Sequence, residues 1–104
     1  MKAVKHKLTP RKVSENEIKH LVKDWLSIKG YFHFHLLAGM GAYPGLPDRI
    51  AVKGGKVLFL EIKKPKGSIH SDKQIKFQEN VEKAGGRYLL IKNLEDLIEG
   101  IKGG

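Results

Sequence analysis

A glycine pair, Gly54-Gly55, separates two apolar runs, Asp48-Arg49-Ile50-Ala51-Val52-Lys53 and Lys56-Val57-Leu58-Phe59-Leu60-Glu61-Ile62-Lys63. Such a turn between such runs is a strong β-hairpin signal, and it leaves little choice of register. Lys53 faces Lys56, and counting outward pairs Val52 with Val57, Ile50 with Phe59 and Asp48 with Glu61. A four-residue loop keeps that pairing, whereas a three-residue loop breaks it. One hairpin face then carries Ile50, Val52, Val57 and Phe59 and ends in the two acids, while the other face of the second strand carries Leu58, Leu60 and Ile62. A strand apolar on both faces is a central one, covered on both sides. A carboxylate at the end of such a strand needs a partner or a role, which singles out Glu61.

Opposed side chains on antiparallel strands have Cβ atoms about 5 Å apart, and like charges there destabilise. Lys63 follows Glu61 by two residues, so it shares that face and brings an ammonium to the same place. One reading is a surface cross-strand ion cluster of Asp48, Glu61 and Lys63. The other is a site for a hard divalent cation such as Mg²⁺, which takes carboxylate oxygens and shares them with substrate phosphates.

The charge balance bears on the choice. Lys and Arg number 20 against 11 Asp and Glu, a formal net charge of +9. That favours a polyanionic partner, nucleic acid ahead of an anionic membrane. The chain has no cysteine, which excludes disulfides and Cys-based zinc sites. No apolar run is long enough to span a bilayer. The basic start, Met1 to Lys12, lacks the apolar centre of a secretory signal, so the expectation is a cytoplasmic protein. At 104 residues the chain makes one domain with a modest core, small for an enzyme covering a large ligand, and a homodimer is the expected assembly.

Residues 1–13 carry Lys2, Lys5, Lys7, Arg11 and Lys12 with no acid. They read either as a basic arm tracking phosphates or as a solvated tail. Ser14 with Glu17 three residues on makes a capping box for a helix of about four turns ending at Gly30, with Ile18, Leu21, Val22, Trp25 and Leu26 as its buried stripe. Glu15 falls about 50° from the centre of that stripe and Glu17 beyond about 100°. Glu15 is thus the acid that leans over the sheet, with a helix-dipole role as its plainer alternative.

Tyr31 to Leu37 reads as a strand. His33 and His35 share a face there, without a third metal ligand nearby. The Gly- and Pro-rich stretch from Ala38 to Pro47 lacks the Gly-Lys-Ser/Thr ending of a P-loop, and Gly45 is a place for a nucleic-acid backbone to come close. Lys63-Lys64-Pro65-Lys66-Gly67 is a basic exit suited to phosphate, or simply a soluble turn. Ser71 caps a second helix, Asp72 to Ala84, in which Gln74 completes a capping box. Gly85-Gly86 ends it, Arg87 to Ile91 is a further strand, and Asn93 caps a last helix with Leu94, Leu97, Ile98 and Ile101. The order is α-β-β-β-α-β-α, an α/β fold with a central mixed sheet flanked by helices.

The run Ser14-Glu15-Asn16-Glu17-Ile18, then Gly45-Leu46-Pro47-Asp48, Phe59-Leu60-Glu61-Ile62-Lys63, Gly67, Gln74 and Gly86-Arg87-Tyr88 resembles the VRR-NUC (virus-type replication-repair nuclease) domain of the PD-(D/E)xK superfamily, over residues 14 to 96. The resemblance implies a restriction-endonuclease-like core in a single domain, residues 14–104. It implies a metal-dependent endonuclease acting on DNA. Asp48, Glu61 and the main-chain carbonyl of Ile62 would bind Mg²⁺ or Mn²⁺, and Lys63 would orient or activate the attacking water. An acid of the first helix would complete the site; this is carried over as Glu15, with Glu17 left open. Gln74 matches the family's helix glutamine and would hold lysine, water or substrate. Lys64, Lys66, Arg11, Lys12 and Gly45 are the expected DNA contacts. Lys19 departs from the family pattern, since many relatives have glutamine there. Small stand-alone members are similar to Holliday-junction resolvases, which makes branched DNA in replication or repair the candidate substrate and agrees with a homodimer.

The chemistry agrees independently. Hydrolysing a phosphodiester needs a nucleophilic water and relief of charge on the phosphoryl oxygens, and a carboxylate-held cation supplies both. The rival readings are a non-catalytic nucleic-acid-binding module and a nuclease acting on RNA.

Overall fold

The structure, a computed structural model, describes residues 13–103. The basic arm expected at the start, with Arg11 and Lys12, lies outside the described residues apart from Val13. Helix α1 (Glu15–Ile28) opens on the expected capping box: Ser14 Oγ accepts from the Glu17 N–H, and Glu17 Oε1 from the Ser14 N–H. Strand β1 (Phe32–His35) follows, then the glycine- and proline-rich loop, then β2 (Arg49–Lys53) and β3 (Lys56–Ile62). A second Ser-capped helix, α2 (Asp72–Lys83), leads to β4 (Arg87–Ile91), and α3 (Leu94–Lys102), capped by Asn93, closes the chain.

The four strands lie in the order β1-β2-β3-β4. The β1–β2 and β2–β3 pairs are antiparallel and β3–β4 is parallel, with α2 in the crossover, so the sheet is mixed as expected. The hairpin register is also the expected one: Lys53 faces Lys56, Val52 faces Val57 and Ile50 faces Phe59, and the ladder runs on to Arg49 opposite Leu60. There the regular pairing stops. The Asp48 N–H bonds to the Leu60 carbonyl, and the Asp48 carboxylate itself accepts the next free donor, the Ile62 N–H, at 2.7 Å. Asp48 and Glu61 are therefore not a ladder pair; the chain leaves the sheet at Asp48, and its side chain caps the strand edge.

The dry core lies on one face, where Ile18, Val22 and Leu26 of α1 and Leu97 of α3 cover Ala51, Leu58, Leu60, Ile62 and Ile91. Leu21, expected in that stripe, is 49% exposed. The buried row follows the i, i+4, i+8 line of Ile18, Val22 and Leu26, and Leu21 falls on its flank. The opposite face departs further from expectation. α2 has no fully buried residue and shields only the β3–β4 side, through Phe77 against Phe59 and Tyr88, with ring centroids 5.8 and 6.3 Å apart. Val57 is consequently 41% exposed, and Phe32 and Phe34, in rows with Val52 and Ile50, are 69% and 41% exposed. A central strand apolar on both faces thus has one face covered by two helices and the other by a single short one.

Candidate active site

Two polar groups meet at the end of β3. The first lies on the α2 face. Glu61, at 3% exposure the buried charged side chain of the core region, accepts the Gln74 amide N–H at Oε2 over 2.8 Å, with Lys63 Nζ 3.2 Å from the same oxygen. Gln74 Oε1 accepts from Lys63 Nζ at 3.0 Å and from the Ser71 N–H at 2.9 Å. The Gln74 oxygen thus completes the capping box and also accepts from Lys63, while its nitrogen reaches the buried carboxylate, a contact outside the sequence reading. The donors around it fix which end of the amide is which.

The second group lies on the α1 side. Lys19 Nζ stands 3.2 Å from Glu15 Oε2, one helical turn back, and 3.5 Å from Asp48 Oδ1. Asp48 Oδ2, bonded to the Ile62 N–H, joins this group to the strand. Within a strand the N–H and C=O of one residue point to the same edge. The Ile62 carbonyl therefore faces the side on which Asp48 lies.

The two groups are electrostatically coupled. Burial, followed by the nearby Asp48 charge, pushes the Glu61 carboxyl up to about 7, against the pull of Lys63. For Lys19, burial works against the ammonium but Asp48 and Glu15 outweigh it, so its pKa is raised and it stays protonated. Burial, with Glu61 the next cause, also raises the Tyr88 hydroxyl, which is buried without a hydrogen-bond partner.

Of the residues singled out in the sequence, Glu61, Lys63 and Gln74 come into direct contact, and Asp48 adjoins them through the Ile62 amide. Glu15 is held by Lys19, whose ammonium also reaches Asp48, and Glu17 is engaged in the capping box. Among the described residues no group of three or more His, Cys, Asp or Glu is placed to hold an ion. The donors at the strand end nevertheless fit a hard cation in kind. Glu61 Oε1 is buried with no hydrogen-bond partner, an orphaned carboxyl oxygen of the sort a metal satisfies. Lys64 and Lys66 are exposed beside the site. Gly45, at φ +79°, passes so close to the Lys73 backbone that a Cβ would clash, so packing against α2 alone already calls for a glycine there. His33 is taken up by Ser27 and Arg49 rather than standing open with His35 as a metal pair.

Sequence reasoning missed the bridging role of Lys19, although its i, i+4 spacing from Glu15 is the signal for such a pair. It also missed Arg49, whose neighbours His33 and Ser27 come from distant parts of the chain. No described helix is long and apolar enough to cross a membrane.

No protein-family model and no curated protein matches the chain. Among solved structures, the chain is similar to one described as a VRR_NUC domain protein, with 24% sequence identity, a TM-score of 0.72 and 88% of each chain covered. The two share one fold over nearly their whole lengths, the α/β arrangement expected from the sequence.

Proposed function

We propose that this chain is a VRR-NUC nuclease of the PD-(D/E)xK type, an endonuclease that uses Mg²⁺ or Mn²⁺ to hydrolyse DNA phosphodiester bonds. The observation that carries the reading is Glu61: a buried carboxylate with one oxygen held by Gln74 and Lys63 and the other unpartnered, next to Asp48 at the end of a central strand. A surface ion cluster does not account for it, because an exposed pair has no reason to be buried to 3% and left half satisfied. The fold shared with a VRR_NUC domain protein supports the same reading.

Asp48, Glu61 and the Ile62 carbonyl would be the oxygen donors for the ion, with Glu15, now paired with Lys19, as the further acid of the site. Bound there, such an ion supplies a nucleophilic water at neutral pH and relieves charge on the phosphoryl oxygens. Lys63 would orient the attacking water, and Gln74 holds the Lys63 ammonium and the Glu61 carboxylate in one geometry. The net charge of +9 supports DNA as the partner, and exposed Lys64 and Lys66 add backbone affinity without sequence preference. The half-covered sheet face with Phe32, Phe34 and Val57 supports a homodimer. Two sites in one dimer suit cleavage of paired strands in branched DNA.

The test is cleavage of matched linear, flapped, four-way and single-stranded DNA, with RNA alongside, in Mg²⁺ or Mn²⁺. Glu61→Ala, Asp48→Ala and Lys63→Ala should lose cleavage while keeping fold and DNA binding. Activity that survives excess EDTA, or persists in Glu61→Ala, overturns the reading.

A further inference from the structure

On the core side of the sheet end, a cleft of about 330 Å³ opens beside Asp48. Lys19, His35, Asp48, Arg49 and Ile62 line it. We infer that this cleft seats a phosphate of the substrate backbone, with Arg49 as its anchor; naming the anion a DNA phosphate rests on the nuclease reading above.

Arg49 is a half-buried cation with an unusual partner. Its Nη1 lies 2.8 Å from His33 Nδ1, and His33 Nε2 lies 2.8 Å from Ser27 Oγ. A guanidinium only donates, so Nδ1 is the acceptor and the Nε2–H is left to donate to the serine. Burial, then Arg49 and Lys23, lowers the His33 pKa, which keeps that imidazole neutral. The chain Ser27–His33–Arg49 thus ties α1, β1 and β2 together and aims the guanidinium without neutralising it. Among the described residues Arg49 has no carboxylate within ion-pair distance.

A cation desolvated in this way is costly unless an anion offsets it. Asp48, the next residue, lends only a longer-range field, and its own carboxylate is committed to Lys19 and the Ile62 N–H. The guanidinium has further N–H groups in a planar fork, the geometry that matches phosphate oxygens. The ladder sets His35 opposite Arg49, and its imidazole lines the same cleft. Asp48 and Ile62 line both this cleft and the proposed metal site. A phosphate held by Arg49 therefore lies next to the reacting position and fixes the register of the strand against it.

The experiment is fluorescence anisotropy of a short labelled duplex in EDTA over a salt series, with wild type, Arg49→Gln, Arg49→Lys and Lys64→Gln. Arg49→Gln should weaken binding about tenfold and lower the log–log salt slope by about one. Arg49→Lys keeps the charge but not the fork, so it should keep the slope and lose affinity several-fold. In cleavage assays both should raise KM more than they lower kcat. Thermal unfolding, with and without Mn²⁺, reports fold and metal binding separately. Wild-type affinity and slope in a folded Arg49→Gln protein overturn the inference. Should Arg49→Gln not fold, undiminished affinity in Arg49→Lys overturns it. Because binding is read in EDTA, a wild type that binds DNA through Arg49 yet neither cleaves nor responds to Mn²⁺ sinks the nuclease reading and leaves the anion site standing.

Discussion

Gln74 donates its side-chain N–H to Glu61 at 2.8 Å from the first turn of α2, so one residue both caps a helix and steadies a buried carboxylate. Substitutions separate the two duties. Gln74→Ala loses both, and should cost about 1 kcal/mol of stability as the side-chain acceptor for the Ser71 N–H is lost and about 10- to 100-fold in metal affinity or cleavage as support of the ligand is lost. Gln74→Glu keeps a capping-box residue but sets a second carboxylate against Glu61. Its melting temperature should stay nearer wild type than that of Gln74→Ala, while its cleavage falls at least as far. Equal activity in wild type and Gln74→Glu would contradict the arrangement.

Lys19 stands between Glu15 and Asp48 as a tethered positive charge. Replacing it with glutamine removes the ammonium that competes with an incoming ion. Lys19→Gln should therefore bind Mn²⁺ several-fold more tightly, and its metal-free form should melt at a lower temperature because the two carboxylates lose their counter-ion. Calorimetric titration with Mn²⁺ and thermal unfolding in EDTA measure the two effects. Asp48→Ala is the control that should abolish the metal response.

The metal-free protein should lose stability as pH rises from about 4.5 to 7. Glu61 keeps its proton in the folded state up to about 7, whereas in the unfolded chain it releases it near the ordinary 4.5. Between those values the folded chain binds more protons than the unfolded one, so unfolding becomes easier with rising pH. Burial is the main cause of the shift and the Asp48 charge the next. Unfolding free energies across this range in EDTA should show the decline, and Glu61→Gln, which cannot titrate, should lose it. Bound Mn²⁺ should flatten it too, because ion and proton compete for one carboxylate.

Local signals made most of this molecule legible. Gly54-Gly55 dictated the hairpin register, and the Ser14 and Ser71 caps placed two helix starts, because turn and cap chemistry depends only on near neighbours. Extrapolating the ladder to Asp48 went one residue too far, since pairing at a strand end answers to the incoming loop as well as to the turn. Lys19 was visible as a departure from pattern but not as a bridge, because its contact with Asp48 crosses from helix to sheet. The Ser27–His33–Arg49 chain was invisible for the same reason. The uncovered face of β1 and β2 also escaped, because apolar alternation marks a face that is to be covered without saying by what.

That face gives a prediction about assembly. Phe32 is 69% exposed and sits in a row with Val52 and Val57. An aspartate in its place disturbs little within one chain but puts charge into any interface built on the face. Light scattering at micromolar concentration should give a dimer mass for wild type and a monomer mass for Phe32→Asp, with similar melting of secondary structure at low concentration. A monomeric wild type, or a dimeric Phe32→Asp, would dismiss this surface as the interface.

Gly45→Ala tests how tightly the loop holds α2 in place. Gly45 has φ +79°, where an alanine pays about 1 kcal/mol or more. Its new Cβ would also press on the carbonyl of Lys73, backbone that cannot rotate away, and the next residue is Gln74. Relief requires the loop or the first turn of α2 to shift, which carries Gln74 away from Glu61 and Lys63. The variant should therefore melt lower and lose cleavage well beyond its loss of folded population at the assay temperature. Its DNA affinity in EDTA should stay near wild type, since the charges that hold the backbone lie elsewhere. If Gly45 instead meets DNA directly, the same substitution weakens binding in EDTA, and comparing the two losses decides between a packing glycine and a contact glycine.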